Sequence, residues 1–169
     1  MAETKMQRPK PAKLVDPRFE NGRALPIAGL RSDFSPGAIG QVPALWQRFV
    51  PHMPRISKRV EQVAYGMCWN STDAGVDYLA GMEVSACESL PAEFAVVSLP
   101  AKKYAVFAHR GQLAKINETC TAIFQWFKEH SNQRLSGAGG EPCFFERYGE
   151  QSNPHSGMGG MEVWVPVKS

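Results

Sequence analysis

One tetrapeptide occurs twice in this chain of 169 residues. Gly81-Met82-Glu83-Val84 returns as Gly160-Met161-Glu162-Val163, a displacement of 160 − 81 = 79 residues. Four letters alone carry little weight, but the same displacement brings like segments into line on both sides. A chain written twice at this spacing folds as two copies of one supersecondary unit. Each copy must then bury its apolar faces against the other.

The first copy opens on the apolar run Leu25–Leu30, which suits a strand. Pro36-Gly37 breaks the chain. Ile39, Val42, Leu45, Trp46, Phe49 and Val50 then recur at steps of three and four, which predicts an amphipathic helix. Pro43 falls in its first turn, where a missing N–H costs nothing, and Pro51 and Pro54 close it. Val63–Asn70 and Tyr78–Ala86 read as two strands around the turn-rich stretch Asn70–Gly75.

The second copy repeats the order. Phe94–Leu99 and Tyr104–His109 are β-rich, parted by Pro100. A helix is predicted from Gly111, with Leu113, Ile116, Cys120, Ile123, Phe124 and Phe127 on one stripe. Gly137–Gly140 is a break, and Cys143–Tyr148 and Met161–Val167 are strands. The expected fold class is therefore α+β: duplicated strand-helix-strand-strand units, with halves at 18–90 and 91–169. Joined about a pseudo-twofold axis, they make one antiparallel sheet with two helices on one face. A groove between the helices is floored by the sheet.

Composition narrows the function. Hydrophobic residues at 43% and charged residues at 21% suit a globular domain. The net charge of +3 is too small for a nucleic-acid footprint, and much of the excess sits at Lys5, Arg8, Lys10, Lys13 and Arg18. Residues 1–17, rich in proline and charge, read as a flexible basic tail. No apolar run approaches the ~20 residues that span a bilayer, and the start lacks a secretory pattern, so a cytoplasmic protein with no membrane partner is expected. Cys68, Cys87, Cys120 and Cys143 stand singly, and His52, His109, His130 and His155 show no ligand spacing. No metal, cofactor or catalytic residue is expected from them. His109, at a strand end, reads as a cap or a surface residue.

Alternation in Cys143–Tyr148 puts Phe144, Glu146 and Tyr148 on one face and Cys143, Phe145 and Arg147 on the other. The pattern does not decide which face looks inward. If the first does, a carboxylate lies among aromatic rings. A buried carboxylate wants a cation or a proton, and aromatic faces attract cations by roughly 0.5–2 kcal/mol each. If the second does, Glu146 faces solvent and Phe145 packs in the core. At the displacement of 79, Met67 corresponds to Glu146, and Tyr65, Met67 and Trp69 share a face, setting a thioether opposite the carboxylate. Trp46, Tyr78, Met82, Tyr104 and Phe107 are further candidates, each with plain core packing as its competing reading.

Five segments in order resemble the GyrI-like domain, the effector-binding module found with AraC-type regulators. Leu99–Gly111 is similar to its "iPa-x-x-YAvF-x-h-x-G" segment, and Asp77–Val84 to its "dYlaGvev" strand. Trp126 is similar to its helix end, Phe145–Tyr148 to its "fE-x-Y" strand, and Glu162–Val167 to its closing "e-v-x-iPv" strand; Tyr65-Gly66 fits as well. The likeness runs from residue 18 to residue 167. It implies the duplicated fold, which serves in AraC- and MerR-type multidrug regulators and stands alone in gyrase inhibitory and integron cassette proteins. It implies that Glu146 contacts a cationic ligand, with Tyr148, Trp69, Tyr78 and Phe107 as stacking partners.

The expected function is binding of a small lipophilic cation or amphipathic drug-like ligand, as a sensor or sequestering protein. The expected ligand-binding residues are Glu146, Tyr148, Phe144, Trp69, Met67, Tyr78, Phe107 and Trp46. Two alternatives stand beside it. One is hydrolysis of alkylating compounds, reported for some relatives, with Glu146 as general acid or base. The other is modulation of gyrase or a transcription regulator through a protein partner or homodimer. No segment before residue 18 has the length of a helix-turn-helix, so direct DNA binding is not expected.

Overall fold

The computed structural model describes residues 16–35, 41–56, 59–72, 75–85, 90–109, 116–130, 144–149 and 161–167. The first copy forms β2 (Leu25–Phe34), α1 (Val42–Phe49), β3 (Arg59–Thr72) and β4 (Gly75–Val84). The second forms β6 (Lys103–His109), α2 (Ile116–Glu129), β7 (Phe144–Tyr148) and β8 (Met161–Pro166). Two lead strands precede them, β1 (Arg18–Asn21) and β5 (Ala95–Leu99).

All eight strands join one antiparallel sheet in the order β1-β6-β8-β7-β3-β4-β2-β5. The order is symmetric about the β7–β3 junction. Each copy also lends its lead strand to the other. β1 precedes β2 but pairs with β6, placing Glu20 opposite Tyr104. β5 precedes β6 but pairs with β2, placing Leu25 opposite Leu99. The four residues Arg18–Asn21 are mostly polar, so local hydrophobic patterning carries no sign of β1, and the sequence reading placed them in the first half without assigning them a strand.

Both helices cover one face of the sheet. Leu45 and Phe49 of α1 are buried against Ala28, Leu30, Phe34, Tyr78, Ala80 and Met82. Ile123 and Phe127 of α2 are buried against Ala105, Phe107, Met161, Val163 and Val165. Full burial of a side chain such as Phe49 contributes about 1.5–3 kcal/mol. Pro43 does fall in the first turn of α1. Pro51 and Pro54 do not end the helical run; the chain continues as a 3-10 segment, Val50–Arg55, because a proline costs least where the i−4 bond is already lost.

The buried stripe of α2 runs through Thr119, Ala122, Ile123 and Phe127. Phe124, expected on it, is 47% exposed. Its rotation outward follows from His109. That side chain is buried, and its Nδ1 lies 2.6 Å from Thr119 Oγ1, so Thr119 faces the sheet. His109 is thus a core residue rather than a cap. Ile39, Leu113, Cys87, Cys143, His155 and Gly137–Gly140 lie outside the described residues.

The opposite face carries its own core: Ile27, Val63, Tyr65, Met67, Trp69, Leu79, Leu99, Tyr104, Val106 and Phe145. This cluster joins Leu99, on one edge strand, to Tyr104 near the other edge, so the sheet curls around it. Neither helix packs there.

The β3–β4 turn depends on Gly75, which has φ of +128° and whose ideal Cβ would lie 2.1 Å from the Phe34 carbonyl oxygen. Gly75→Ala is expected to lower stability by about 1–3 kcal/mol, the cost of forcing a residue with a Cβ into such backbone. Urea unfolding checks it; an unchanged midpoint would show that this turn adopts another conformation.

Candidate functional site

β7 turns Phe144, Glu146 and Tyr148 toward the helices, and Phe145 toward the opposite core. Glu146 is 8% exposed. Its Oε1 accepts a 2.6 Å hydrogen bond from the Tyr78 hydroxyl on β4, and its carboxylate takes a second from Tyr148. The Tyr78 oxygen in turn accepts 2.9 Å from Trp46 Nε1–H on α1. Trp46 meets Tyr148 edge-on, with ring centroids 5.1 Å apart. One carboxylate is thus held by two phenols and roofed by an indole.

The backbone makes room for this group at Gly66, which pairs with Glu146 across β3 and β7. An ideal Cβ there would lie 2.0 Å from Tyr78 Oη and 2.6 Å from Glu146 Oε1. Only hydrogen fits between the phenol and the carboxylate.

Electrostatics follow from burial. Desolvation pushes the Glu146 carboxyl above its ordinary value, while hydrogen bonds from Tyr78 and Tyr148 pull it back. Burial also carries both phenols well above theirs, with the Glu146 charge adding to it. Cys120 on α2 is pushed up to about 12, first by burial and then by the same charge. Its thiol is therefore no nucleophile at neutral pH. Cys120 also lines an adjoining shallow groove, open to solvent and enclosing only about 20 Å³, whose other walls are Ile123, Phe124, Phe127, Phe144, Val163 and Val165. The arrangement sets a buried carboxylate beside an apolar strip along α2.

Trp46, Tyr78, Phe144, Glu146 and Tyr148 are therefore brought to one place. Phe107 lies on the same face but packs under α2, against Trp126 and Phe127 at ring centroids of 5.5 and 5.8 Å. Met67 and Trp69, expected in the site, are not brought there. Both are buried on the opposite face, where the Arg31 guanidinium lies 4.8 Å from the Trp69 ring centroid. The cause is hairpin length. Ala64 pairs with Met82, 82 − 64 = 18 residues on, but Tyr148 pairs with Met161, only 161 − 148 = 13 on. The difference is odd, and an odd slip exchanges the faces of a strand. Gly66 and Cys120 were not expected in the site. The glycine within the strand run Val63–Asn70 was the available signal, because glycine inside a strand marks a close approach.

Among the described residues no group of three His, Cys, Asp or Glu side chains is arranged to hold a metal, and no helix is long and apolar enough to cross a membrane.

Residues 29–167 match the profile of a family described as Cass2, integron-associated effector binding protein. The transcriptional regulator BrlR of Pseudomonas aeruginosa is 38% identical over 92 residues, which is 53% of this chain and 33% of BrlR. The matched segment thus spans about a third of that relative's length. SAV2435, solved bound to tetraphenylphosphonium, superposes with a TM-score of 0.73 at 20% identity, covering 92% of this chain and 95% of its own. The integron cassette protein VCH_CASS2 from the mobile metagenome of Vibrio cholerae superposes at 0.60 and 15% identity, covering 92% and 97%. At those identities the two structures speak for the fold alone.

Proposed function

This chain belongs to the integron-associated effector binding protein family, and on that premise we propose that it binds a small lipophilic cation or cationic amphipath at Glu146. The carrying observation is a carboxylate that is 8% exposed and has no cationic side chain as its partner among the described residues. A buried anion neutralised only by phenol hydrogen bonds is incompletely compensated, so a cation that reaches it gains. Trp46, Tyr78 and Tyr148 gather aromatic rings around the carboxylate, a setting that attracts cations. The apolar lining of the shallow groove along α2 suits the rest of the molecule, and the groove must widen to admit it. That a structural relative was solved with tetraphenylphosphonium supports the class of ligand. The protein then acts as a sensor or sequestering domain, with Trp46, Tyr78, Phe144, Glu146 and Tyr148 as contacts and Phe107 as support beneath α2.

Tryptophan fluorescence tests the placement. A lipophilic cation is expected to quench Trp46, which roofs the carboxylate, and to leave Trp69 on the far face untouched. Trp46→Phe should therefore remove most of the ligand-dependent change, while Trp69→Phe should retain it. A stronger response to anions than to cations, or quenching that survives Trp46→Phe and vanishes with Trp69→Phe, would overturn the assignment.

A further inference from the structure

The two sheet edges are related by the pseudo-symmetry, yet only one is guarded. β1 carries Arg18 and Glu20 and follows Pro17; Arg18 lies 2.6 Å from both Glu20 and Glu162. Charges and proline are the ordinary defences of an open edge. β5 is Ala95-Val96-Val97-Ser98-Leu99, with no charge between Glu93 and Lys102 and Val96 45% exposed.

The register says which backbone groups of β5 face outward. Pro26 of β2 lies opposite Ser98 and has no N–H to give. The bonded pairs of the β2–β5 ladder are therefore Leu25–Leu99, Ile27–Val97 and Gly29–Ala95, since bonded and non-bonded pairs alternate. The N–H and C=O groups of Val96 and Ser98 point away from β2 and meet no partner among the described residues. Beyond them the edge closes: Phe94 N–H already donates to the Pro91 carbonyl, and Pro100 has no N–H.

We propose that β5 is a homodimer edge, joining antiparallel to β5 of a second copy about a twofold axis at Val97. In that register Val96 faces Ser98 of the partner strand and Ser98 faces Val96, so every outward N–H meets an outward C=O. The edge is its own complement, as an isologous interface requires. Val97 meets its symmetry mate on the curled face, where it already flanks the apolar cluster. No like charges meet at the axis. A single strand pair is small beside the ~1,200–2,000 Å² of a standard interface, so the dimer is reversible and concentration-dependent.

Sedimentation of the full chain over rising protein concentration tests this. The mass is expected to climb from one chain toward two, and Ser98→Pro to hold it at one. The Ser98 N–H takes no part in the β2 ladder, so the variant should keep its circular dichroism. Should it fail to fold, Val96→Lys places like charges across the axis and serves instead. Amide exchange gives a reading without substitution: Val96 and Ser98 gain protection as concentration rises, while Val97 is protected throughout. A single-chain mass at every concentration overturns the proposal, even if the edge captures a foreign extended peptide. So does a dimer that both substitutions leave intact.

Discussion

Glu146→Gln is expected to weaken binding of a lipophilic cation by about 30-fold or more, because losing one member of a buried charge pair costs about 2–5 kcal/mol. An uncharged ligand of the same shape should lose little. The substitution is nearly isosteric, and the amide oxygen can still accept from Tyr78, so a general loss of fold does not account for the effect. Calorimetric titration with tetraphenylphosphonium and a neutral triphenyl analogue separates the two. Equal cation affinity in parent and variant would remove the carboxylate from the site. The free protein should respond in the opposite sense. Burial raises the Glu146 carboxyl above its unfolded value, so its contribution to stability is full below the unfolded pKa and is lost as pH rises through the folded one. At neutral pH the Gln variant should therefore melt higher than the parent, with the gap closing in acid. Cation affinity of the parent runs the other way and falls as pH drops through that raised pKa, where Glu146 gains a proton. One side chain thus trades stability for affinity.

What the sequence disclosed follows from the range of each signal. Alternation within β7 is local, and it grouped Phe144, Glu146 and Tyr148 correctly. Which way that face looked was not local: it depends on strands β3 and β8 on either side and on the helices above. The repeat gave the duplicated α+β plan, because matched apolar periods in two copies are themselves a sequence pattern. The same repeat misplaced Met67 and Trp69, because a constant displacement assumes hairpins of equal length. It also missed β1, whose polar residues join the sheet only because β6 of the other copy presents an edge. Tryptophans look alike in a sequence. Trp46 and Trp69 differ in which face of the sheet they meet, and that difference decides which of them a ligand can touch.

Gly66→Ala should be the most damaging single-carbon change near the site. The added Cβ would stand 2.0 Å from Tyr78 Oη and 2.6 Å from Glu146 Oε1, and both side chains are buried. Neither can swing into open space, so the phenol must leave the carboxylate. That breaks the 2.6 Å Tyr78–Glu146 bond and disturbs the one from Trp46. Overpacking costs about 1–3 kcal/mol, and a lost donor to a buried charge about 1.5–3 kcal/mol. A drop of about 2.5–6 kcal/mol in unfolding free energy is expected from these two effects together, with cation binding lost alongside because Trp46 no longer roofs the site. The origin can be isolated by adding Tyr78→Phe, which removes the oxygen nearest the new methyl. Alone, Tyr78→Phe destabilises by stripping a donor from Glu146; on the alanine background it should restore part of the loss, a coupling between contacting residues. Strictly additive losses would mean that the methyl is accommodated away from Tyr78, and the need for glycine opposite the carboxylate would fall with it.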